Sequence, residues 1–202
     1  MRNTLVLLAG YPGTGKTFLA NLIINKFSEF QLLSPDTIKE RNWDQFGFDS
    51  PLEKEKLIKK SWKDYYKELE ALFQSKISVI SDYPFSDKQK SKLEELVKKN
   101  NYQVITIRLT ANLDVLFERQ NKRDLDEDRH LGHILKKYHK GMEIYHNQAD
   151  NLLDYDEFIF RCKTRGYDKF SLGTLFEIDV TNYEDVNYDA LLRELEVLID
   201  ES

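Results

Sequence analysis

Cysteine is almost missing from this sequence: Cys162 is the only one in 202 residues. An intrachain disulfide is therefore excluded, and the chain suits a reducing cytoplasm, the compartment expected for it. Long hydrophobic runs are missing too, and none approaches the ~18 residues needed to span a bilayer. The opening MRNTLVLLAG pairs one Arg with a short apolar stretch. That stretch runs into a glycine-rich loop without a small-residue cleavage site, so it does not read as a secretory signal. There is no basic excess: 30 Lys and Arg against 35 Asp and Glu leave a net charge of −5. Such a balance speaks against a protein whose main task is gripping nucleic acid, although a local basic groove stays compatible with it. Internal repeats, low-complexity tracts and Pro/Gly/Ser-rich linkers are also absent, which predicts a single domain over residues 1–202.

What is present is enough for a packed core, with 41% hydrophobic and 32% charged residues. Short apolar strand-like runs alternate with amphipathic helical stretches, the pattern of βαβ units around a mostly parallel sheet. Five runs read as strands: residues 4–9 (TLVLLA), 30–33 (FQLL), 76–81 (KISVIS), 103–109 (QVITIRL) and 174–180 (TLFEIDV). The first is nearly all apolar, as suits a strand covered on both faces. Ser50-Pro51-Leu52-Glu53 reads as a capping box with Pro at the first helical position, opening a helix to about Gln74. Ile58, Trp62, Tyr65, Leu69 and Phe73 form its apolar stripe. Ser86 and Gln89 cap the next helix, which stops at Asn100-Asn101, and a last helix after Asn187 buries Leu191, Leu192, Leu195, Leu198 and Ile199.

The most informative segment is Gly10-Tyr11-Pro12-Gly13-Thr14-Gly15-Lys16-Thr17, which matches the phosphate-loop pattern G-x-x-x-x-G-K-[ST]. Gly13 and Gly15 let the backbone turn tightly and approach a phosphate. The amides that follow, and the N-terminus of the next helix, favour an anion. Lys16 can reach the β- and γ-phosphates, and the Thr17 hydroxyl can join a Mg²⁺ shell. The motif follows an apolar strand and precedes a helical stripe of Phe18, Leu19, Leu22 and Ile23, which is the context it needs. Mg-ATP is the expected ligand. The residues set against the nucleotide are Pro12, Gly13, Thr14, Gly15, Lys16, Thr17 and Phe18, with Arg119 and Arg123 from further along the chain.

Three more stretches bear on the chemistry. Asp82 ends the apolar run Val79-Ile80-Ser81, where a P-loop protein keeps its Mg²⁺-side carboxylate. A turn or capping aspartate before Pro84 is the alternative. Asp36, in Ser34-Pro35-Asp36-Thr37-Ile38-Lys39, falls just past the second strand, where open α/β sheets collect ligands. It is placed to take the proton of an acceptor hydroxyl, with Lys39 one turn on to position an anionic acceptor. Ser34 and Asp36 read equally well as residues that cap a helix. Arg119 and Arg123, four apart in LFERQNKR, share a helix face. They could stack on adenine and steady phosphate charge during transfer, or simply suit the helix C-terminus as a solvated pair.

Taken in order, GYPGTGKT, SPDTIKE, VISDYPF and LFERQNKR resemble the small P-loop kinases of the AAA_33 type across residues 4 to about 125. That group includes polynucleotide-kinase-like, gluconate- and shikimate-kinase-like, and antibiotic- or toxin-type phosphotransferases. The closing LFEIDVTNYEDVNYDALL is similar as well. The resemblance implies a three-layer α/β/α P-loop NTPase fold, with five strands ordered 2-3-1-4-5 and a helical lid. It also implies Lys16 and Thr17 on the nucleotide, Asp36 near the acceptor, and Arg119 and Arg123 as lid-side contacts to adenine and phosphate. The family commonly has Arg where Lys39 stands here, and residues 147–173 match no motif; they are read as an added strand or part of the acceptor pocket.

Residues 124–146 are expected to be the mobile lid. All four histidines, His130, His133, His139 and His146, lie there. A His-x-x-His pair invites zinc, but no Cys accompanies it and the spacing is irregular, so surface or acceptor contacts are expected. The function expected is transfer of the γ-phosphoryl group of Mg-ATP to a hydroxyl of a small molecule, with Lys16, Asp36 and Arg123 carrying the chemistry and Thr17 and Asp82 the metal. The alternatives are an ATP-binding regulatory switch and a polynucleotide 5′-hydroxyl kinase. Neither the acceptor nor the oligomeric state is legible.

Overall fold

A computed structural model describes residues 3–200. β1 (Thr4–Gly10), β2 (Gln31–Leu32), β3 (Val79–Asp82), β4 (Gln103–Thr110) and β5 (Thr174–Asp179) form one parallel sheet in the order β2-β3-β1-β4-β5. The expected strand order is thus the observed one. β1 sits at the centre, and its residues Leu5 to Ala9 are fully buried. Burial of each large side chain there contributes roughly 1.5–3 kcal/mol, which explains why no polar residue interrupts the run.

Helices cover both faces. α3 (Pro51–Gln74) and α4 (Asp87–Asn100) pack on the face that carries Leu5 and Leu7, through Tyr65, Leu69, Phe73, Leu93 and Leu96. α1 (Lys16–Lys26) and α8 (Tyr188–Asp200) cover Val6 and Leu8 through Leu19, Ile23, Leu191, Leu195 and Ile199. Half of the capping box read at residue 50 forms: Ser50 Oγ accepts from the Glu53 amide at 3.3 Å, but the Glu53 carboxylate accepts from the Asp49 amide at 2.7 Å, one residue before the cap. The third strand begins at Val79 rather than Lys76. Lys76 takes a left-handed φ of 57°, and the amides of Lys76 and Ile77 donate to Phe73 and Leu72 carbonyls at 3.0 Å each, so residues 76 and 77 close α3. Phe18, read as part of the buried stripe of α1, is 55% exposed.

Two further elements frame the top of the sheet. α2 (Pro35–Phe46) follows β2 directly, and α5 (Leu113–Asp124) follows β4. The segment read as a lid contains one helical turn, α6 (Leu131–Ile134), and is otherwise irregular. It is held to α2 by a separate cluster of Trp43, Phe48, Ile134, Leu135 and Tyr138. Phe48 and Tyr138 also exchange backbone hydrogen bonds, both at 2.8 Å. Residues 147–173 add no strand to the sheet; they form α7 (Tyr155–Thr164), whose Phe158 and Cys162 pack on Leu116 of α5. No described helix is long and apolar enough to cross a membrane.

Candidate active site

The parallel register delivers the ends of β1 and β3 to one place. Leu8 pairs with Asp82, and Gly10 lies beside Leu109 of β4. Only glycine fits at position 10: φ is +106°, and a Cβ would stand 1.9 Å from the Leu109 carbonyl oxygen. Gly15 adopts φ 80° immediately before α1, which turns the loop into the helix N-terminus. Gly13, Gly15, Lys16 and Thr17 then line a cavity of about 520 Å³, within the ~300–1,000 Å³ usual for small-molecule sites. Pro12 lines it as well. Thr14 is buried within the loop, where its hydroxyl donates to the Tyr11 carbonyl at 2.8 Å. Phe18 turns away, edge-on to Tyr188 at 5.6 Å, along a groove beside α8.

Lys16 lies low in the cavity. Its ammonium donates to the Tyr11 carbonyl at 2.5 Å, to Thr14 Oγ1 at 3.2 Å and to the Gly10 carbonyl at 3.4 Å. Burial pushes its pKa down to about 7, opposed by nearby Asp82. Asp82 is buried as well. Its Oδ2 accepts from the Thr17 hydroxyl at 2.7 Å, while its Oδ1 has no hydrogen-bond partner among the described residues. Burial raises the Asp82 carboxyl above its usual value. A buried carboxylate with an unmatched oxygen, bonded to a threonine hydroxyl at a helix start, is a donor set that fits a hard divalent cation such as Mg²⁺.

Asp36 and Lys39 face the same cavity from the first turn of α2. They form an ion pair of 2.9 Å, and Lys39 Nζ also donates to the Tyr83 hydroxyl at 2.9 Å. Ser34 stands at the cap position of α2 without a side-chain capping bond, and Asp36 lies in the first turn, where its charge suits the helix dipole. Burial acts against both charges. Lys39, with His133 and Arg129 behind it, nevertheless holds Asp36 below the usual carboxylate range, and Asp36 with Tyr83 holds Lys39 above the usual lysine range. Two carboxylates in one cavity are thus driven apart, Asp36 towards the ionised form and Asp82 towards the neutral one.

The arginines read from LFERQNKR both line the cavity, in different states. Arg119 is committed to the protein: it donates to the carbonyls of Val180 and Thr181 at 2.8 Å each and lies 3.9 Å over the ring of Tyr183. Arg123 shows no hydrogen bond from its guanidinium to any described residue, and its charge is felt at Lys16 and Arg129. The lid histidines are not simple surface groups. His133 Nε2 lies 2.8 Å from Glu40 and His130 Nε2 lies 3.0 Å from Asp44, both carboxylates on α2. His139 meets Asp49 at 3.2 Å, and His146 bonds the Arg129 carbonyl at 2.7 Å. Lys136, Lys137 and Lys140 of the same segment are exposed and lie outside any helix.

Several lining residues carry no sequence motif: Tyr83, Arg129, Arg161, Arg165, Tyr167 and Tyr183. Tyr83 lies inside a stretch already singled out, and Arg161 and Arg165 repeat the four-residue spacing of Arg119 and Arg123. That spacing was the one available signal for them. Tyr183 lies in the closing stretch LFEIDVTNYEDVNYDALL, but nothing there pointed to the loop; its hydroxyl donates to the Gly13 carbonyl at 3.3 Å, 170 residues away.

Residues 5–143, which include the loop, Asp36, Asp82 and both arginines of α5, match AAA_33, described as an AAA domain. The chain belongs to the AAA_33 family. No curated protein matches it. Solved structures resemble this AAA_33 chain in fold. A candidate kinase from Chloroflexus aurantiacus has 22% identity and a TM-score of 0.77, covering 100% of this chain and 98% of that one. A shikimate kinase from Bacteroides thetaiotaomicron has 17% identity and a TM-score of 0.56, with 98% of each chain covered. A gluconokinase from Sinorhizobium meliloti has 12% identity and a TM-score of 0.52, covering 96% of this chain and 89% of that one. The fold is therefore that of P-loop kinases, and α7, Tyr167 and Tyr183 lie beyond the family match.

Proposed function

We propose that this AAA_33 protein is an ATP-dependent phosphotransferase that moves the γ-phosphoryl group of Mg-ATP to a hydroxyl of a small molecule. The observation that carries this reading is the pairing, in one cavity, of a phosphate-binding half with a carboxylate half. Lys16, Thr17 and Asp82 form the first, and Asp36 with Lys39 forms the second. A switch that only binds nucleotide needs the first half alone. The second half has a purpose if an acceptor hydroxyl is to be held and relieved of its proton.

The loop glycines, the N-terminus of α1 and Lys16 bind the triphosphate. Thr17 and Asp82 would hold Mg²⁺, which neutralises charge on the phosphate oxygens when bound. Arg123, with its donors unspent, steadies the charge that develops on the transferring group. Arg119 and Tyr183, stacked beside the loop, provide a flat face for the base. Asp36 orients the acceptor hydroxyl. The acceptor oxygen forms its bond to the γ-phosphorus as the bond from that phosphorus to the β,γ-bridging oxygen breaks. The hydroxyl proton passes to Asp36 Oδ, and ADP leaves. Because Lys39 keeps Asp36 a weak base, the proton moves late and positioning is the larger part of its task. Residues 124–146 form one cavity wall and exclude water from that side. A single domain over the whole chain, working in the cytoplasm, is part of the same reading.

The test is ATP turnover with Mg²⁺ against a panel of sugars, nucleosides, antibiotics and short oligonucleotides, with Lys16→Ala as control. Turnover stimulated by a small acceptor and lost in the variant supports the proposal. Stimulation by oligonucleotides alone, or tight ATP binding with no stimulation by any acceptor, overturns it.

A further inference from the structure

We propose that the acceptor carries an anionic group of its own, a phosphate or a carboxylate, and that Arg161 and Arg165 of the α7 segment hold it. This rests on the phosphotransferase reading and names the chemical class of its second substrate.

The first observation is one of charge. The chain as a whole is acidic at −5, yet its cavity is lined by seven Lys and Arg side chains and two Asp. Most of those cations have an assigned task. Lys16 and Arg123 face the triphosphate, Arg119 is spent on carbonyls and Tyr183, and Lys39 answers Asp36. Arg129 answers Asp124 at 3.2 Å. Arg161 and Arg165 remain. Arg161 gives only Nε to Glu157, at 2.5 Å, and Arg165 meets no carboxylate among the described residues; its side-chain hydrogen bond there is to the Tyr167 hydroxyl at 3.4 Å. Two guanidiniums one turn apart at the C-terminal end of α7, with most of their terminal N–H donors uncommitted, match the paired oxygens of a phosphate or carboxylate.

The second observation is their side of the cavity. Asp36, Lys39 and Tyr83 form a continuous bonded wall, from the proton acceptor on α2 to the loop after β3. Tyr167 comes next, close enough that Tyr83 adds to the rise in its pKa after burial, and Arg165 bonds Tyr167. The two arginines thus continue the acceptor wall rather than the nucleotide wall. An anion bound there would leave the remainder of the acceptor within the cavity beside Asp36. The cationic lining would also repel a competing cation and draw an anionic acceptor inward.

The test uses protein loaded with Mg²⁺ and a non-hydrolysable ATP analogue, and three small congeners: glycerol, glycerate and glycerol 3-phosphate. Saturation-transfer NMR, which reads weak binding, is recorded for the natural chain, Arg161→Gln, Arg165→Gln and Arg165→Lys. The expected result is binding of an anionic congener, with glycerol silent; the tighter of the two anions names the group. Loss of the guanidinium fork should weaken that anion at least about tenfold, the loss of one charge-assisted contact. Arg165→Lys should recover part of it, and the affinity for the analogue should stay within about threefold. Arg165 is exposed, so unchanged melting of its variants is expected and is checked alongside. Glycerol binding as well as its charged congeners overturns the proposal. So does a loss of analogue affinity with anion binding intact, which would assign the arginines to the nucleotide. If the natural chain does not bind the analogue at all, the phosphotransferase reading itself fails. Analogue binding without anion binding defeats only this inference.

Discussion

The hydroxyl of Thr17 donates to Asp82 Oδ2 at 2.7 Å, which joins the start of α1 to the end of β3, while Asp82 Oδ1 is buried without a partner among the described residues. Burial raises the pKa of this carboxylate, against hydrogen bonds from Thr17 and Ser34 and the charge of Lys16, which do not fully offset it. The sign is definite. With a folded-state pKa above the unfolded value, Asp82 contributes instability that grows as pH rises from that unfolded value and is fully present once pH exceeds the raised folded one. Asp82→Asn keeps the shape and removes the charge. In metal-free buffer at neutral pH its melting temperature should rise by about 2–4 °C, as about 1 kcal/mol does in a domain of this size. The ability of Mg²⁺ to raise the melting temperature of the nucleotide-loaded protein should disappear, and turnover should fall by about two orders of magnitude. Calorimetry with and without Mg²⁺ reads both effects. A variant less stable than the natural chain and still stabilised by Mg²⁺ would remove Asp82 from the metal site.

Lys16 makes a separate prediction about protons. Burial pushes its pKa down to about 7, so near pH 8 much of it is neutral in the absence of nucleotide. A triphosphate beside it favours the ammonium. Binding of the ATP analogue should therefore take up a fraction of a proton near pH 8 and much less near pH 6. Isothermal titration in buffers of different ionisation enthalpy measures that number directly. Lys16→Met should abolish the pH dependence of uptake along with most of the affinity. Equal uptake at both pH values would mean that Lys16 stays charged throughout.

These two sites were legible early because their determinants are local. Gly10 to Thr17 is a contiguous loop between a strand and a helix, and Asp82 ends a buried run. The helix cap at Ser50 was equally local. Strand order came with the family resemblance rather than with any pattern of hydrophobicity, since β2 pairs only two residues. The illegible features depend on encounters between distant segments. Tyr183 reaches Gly13 across 170 residues, and Arg161 enters the cavity only because Phe158 and Cys162 pack on Leu116. The start of β3 was misplaced because the closing turn of α3 consumes Lys76 and Ile77, whose apolar pattern continues the strand.

Gly132 tests whether the docked 131–138 segment matters. A Cβ there would stand 2.5 Å from Trp43 Cε3 and 3.0 Å from His130 Nδ1. The ring of Trp43 is fully buried, packed by Phe48 and by His133 at 4.9 Å, and has little room to yield. Gly132→Ala should therefore lift the segment off α2 rather than shift the tryptophan. Overpacking of this kind costs about 1–3 kcal/mol, concentrated here on one segment. Limited proteolysis should cut between residues 125 and 150 faster, while ATP-analogue affinity changes little, since the loop and α1 are untouched. The KM for the acceptor should rise more than that for ATP, because His133 and Arg129 border the Asp36 side. Unaltered proteolysis would mean the segment tolerates the extra carbon.

Lys39 and Asp36 form the most strongly coupled pair in the cavity, and removing either end has unequal consequences. Lys39→Met leaves Asp36 half-buried without its cation, and the Tyr83 hydroxyl without its donor. Breaking a pair of this kind from one side destabilises by about 3 kcal/mol, or roughly 6–12 °C in melting temperature at this chain length. Asp36→Asn retains a polar group against Lys39, which still holds Tyr83, so its loss should be smaller in stability and larger in turnover. The pH dependence separates the pair from simple packing. Asp36 has its folded pKa depressed below the usual carboxylate range, so its contribution is fully present above the unfolded value near 3.9 and is lost as pH falls through the depressed one. Melting temperatures measured from pH 7 down to pH 3 should therefore fall more steeply for the natural chain than for Lys39→Met, and the gap between the two curves should narrow over the last pH unit without closing. Parallel curves would show that Lys39 stabilises the protein mainly through its ammonium over the rings of Tyr83 at 4.1 Å and Trp62 at 6.0 Å, and that its charge contributes little to holding Asp36 ionised.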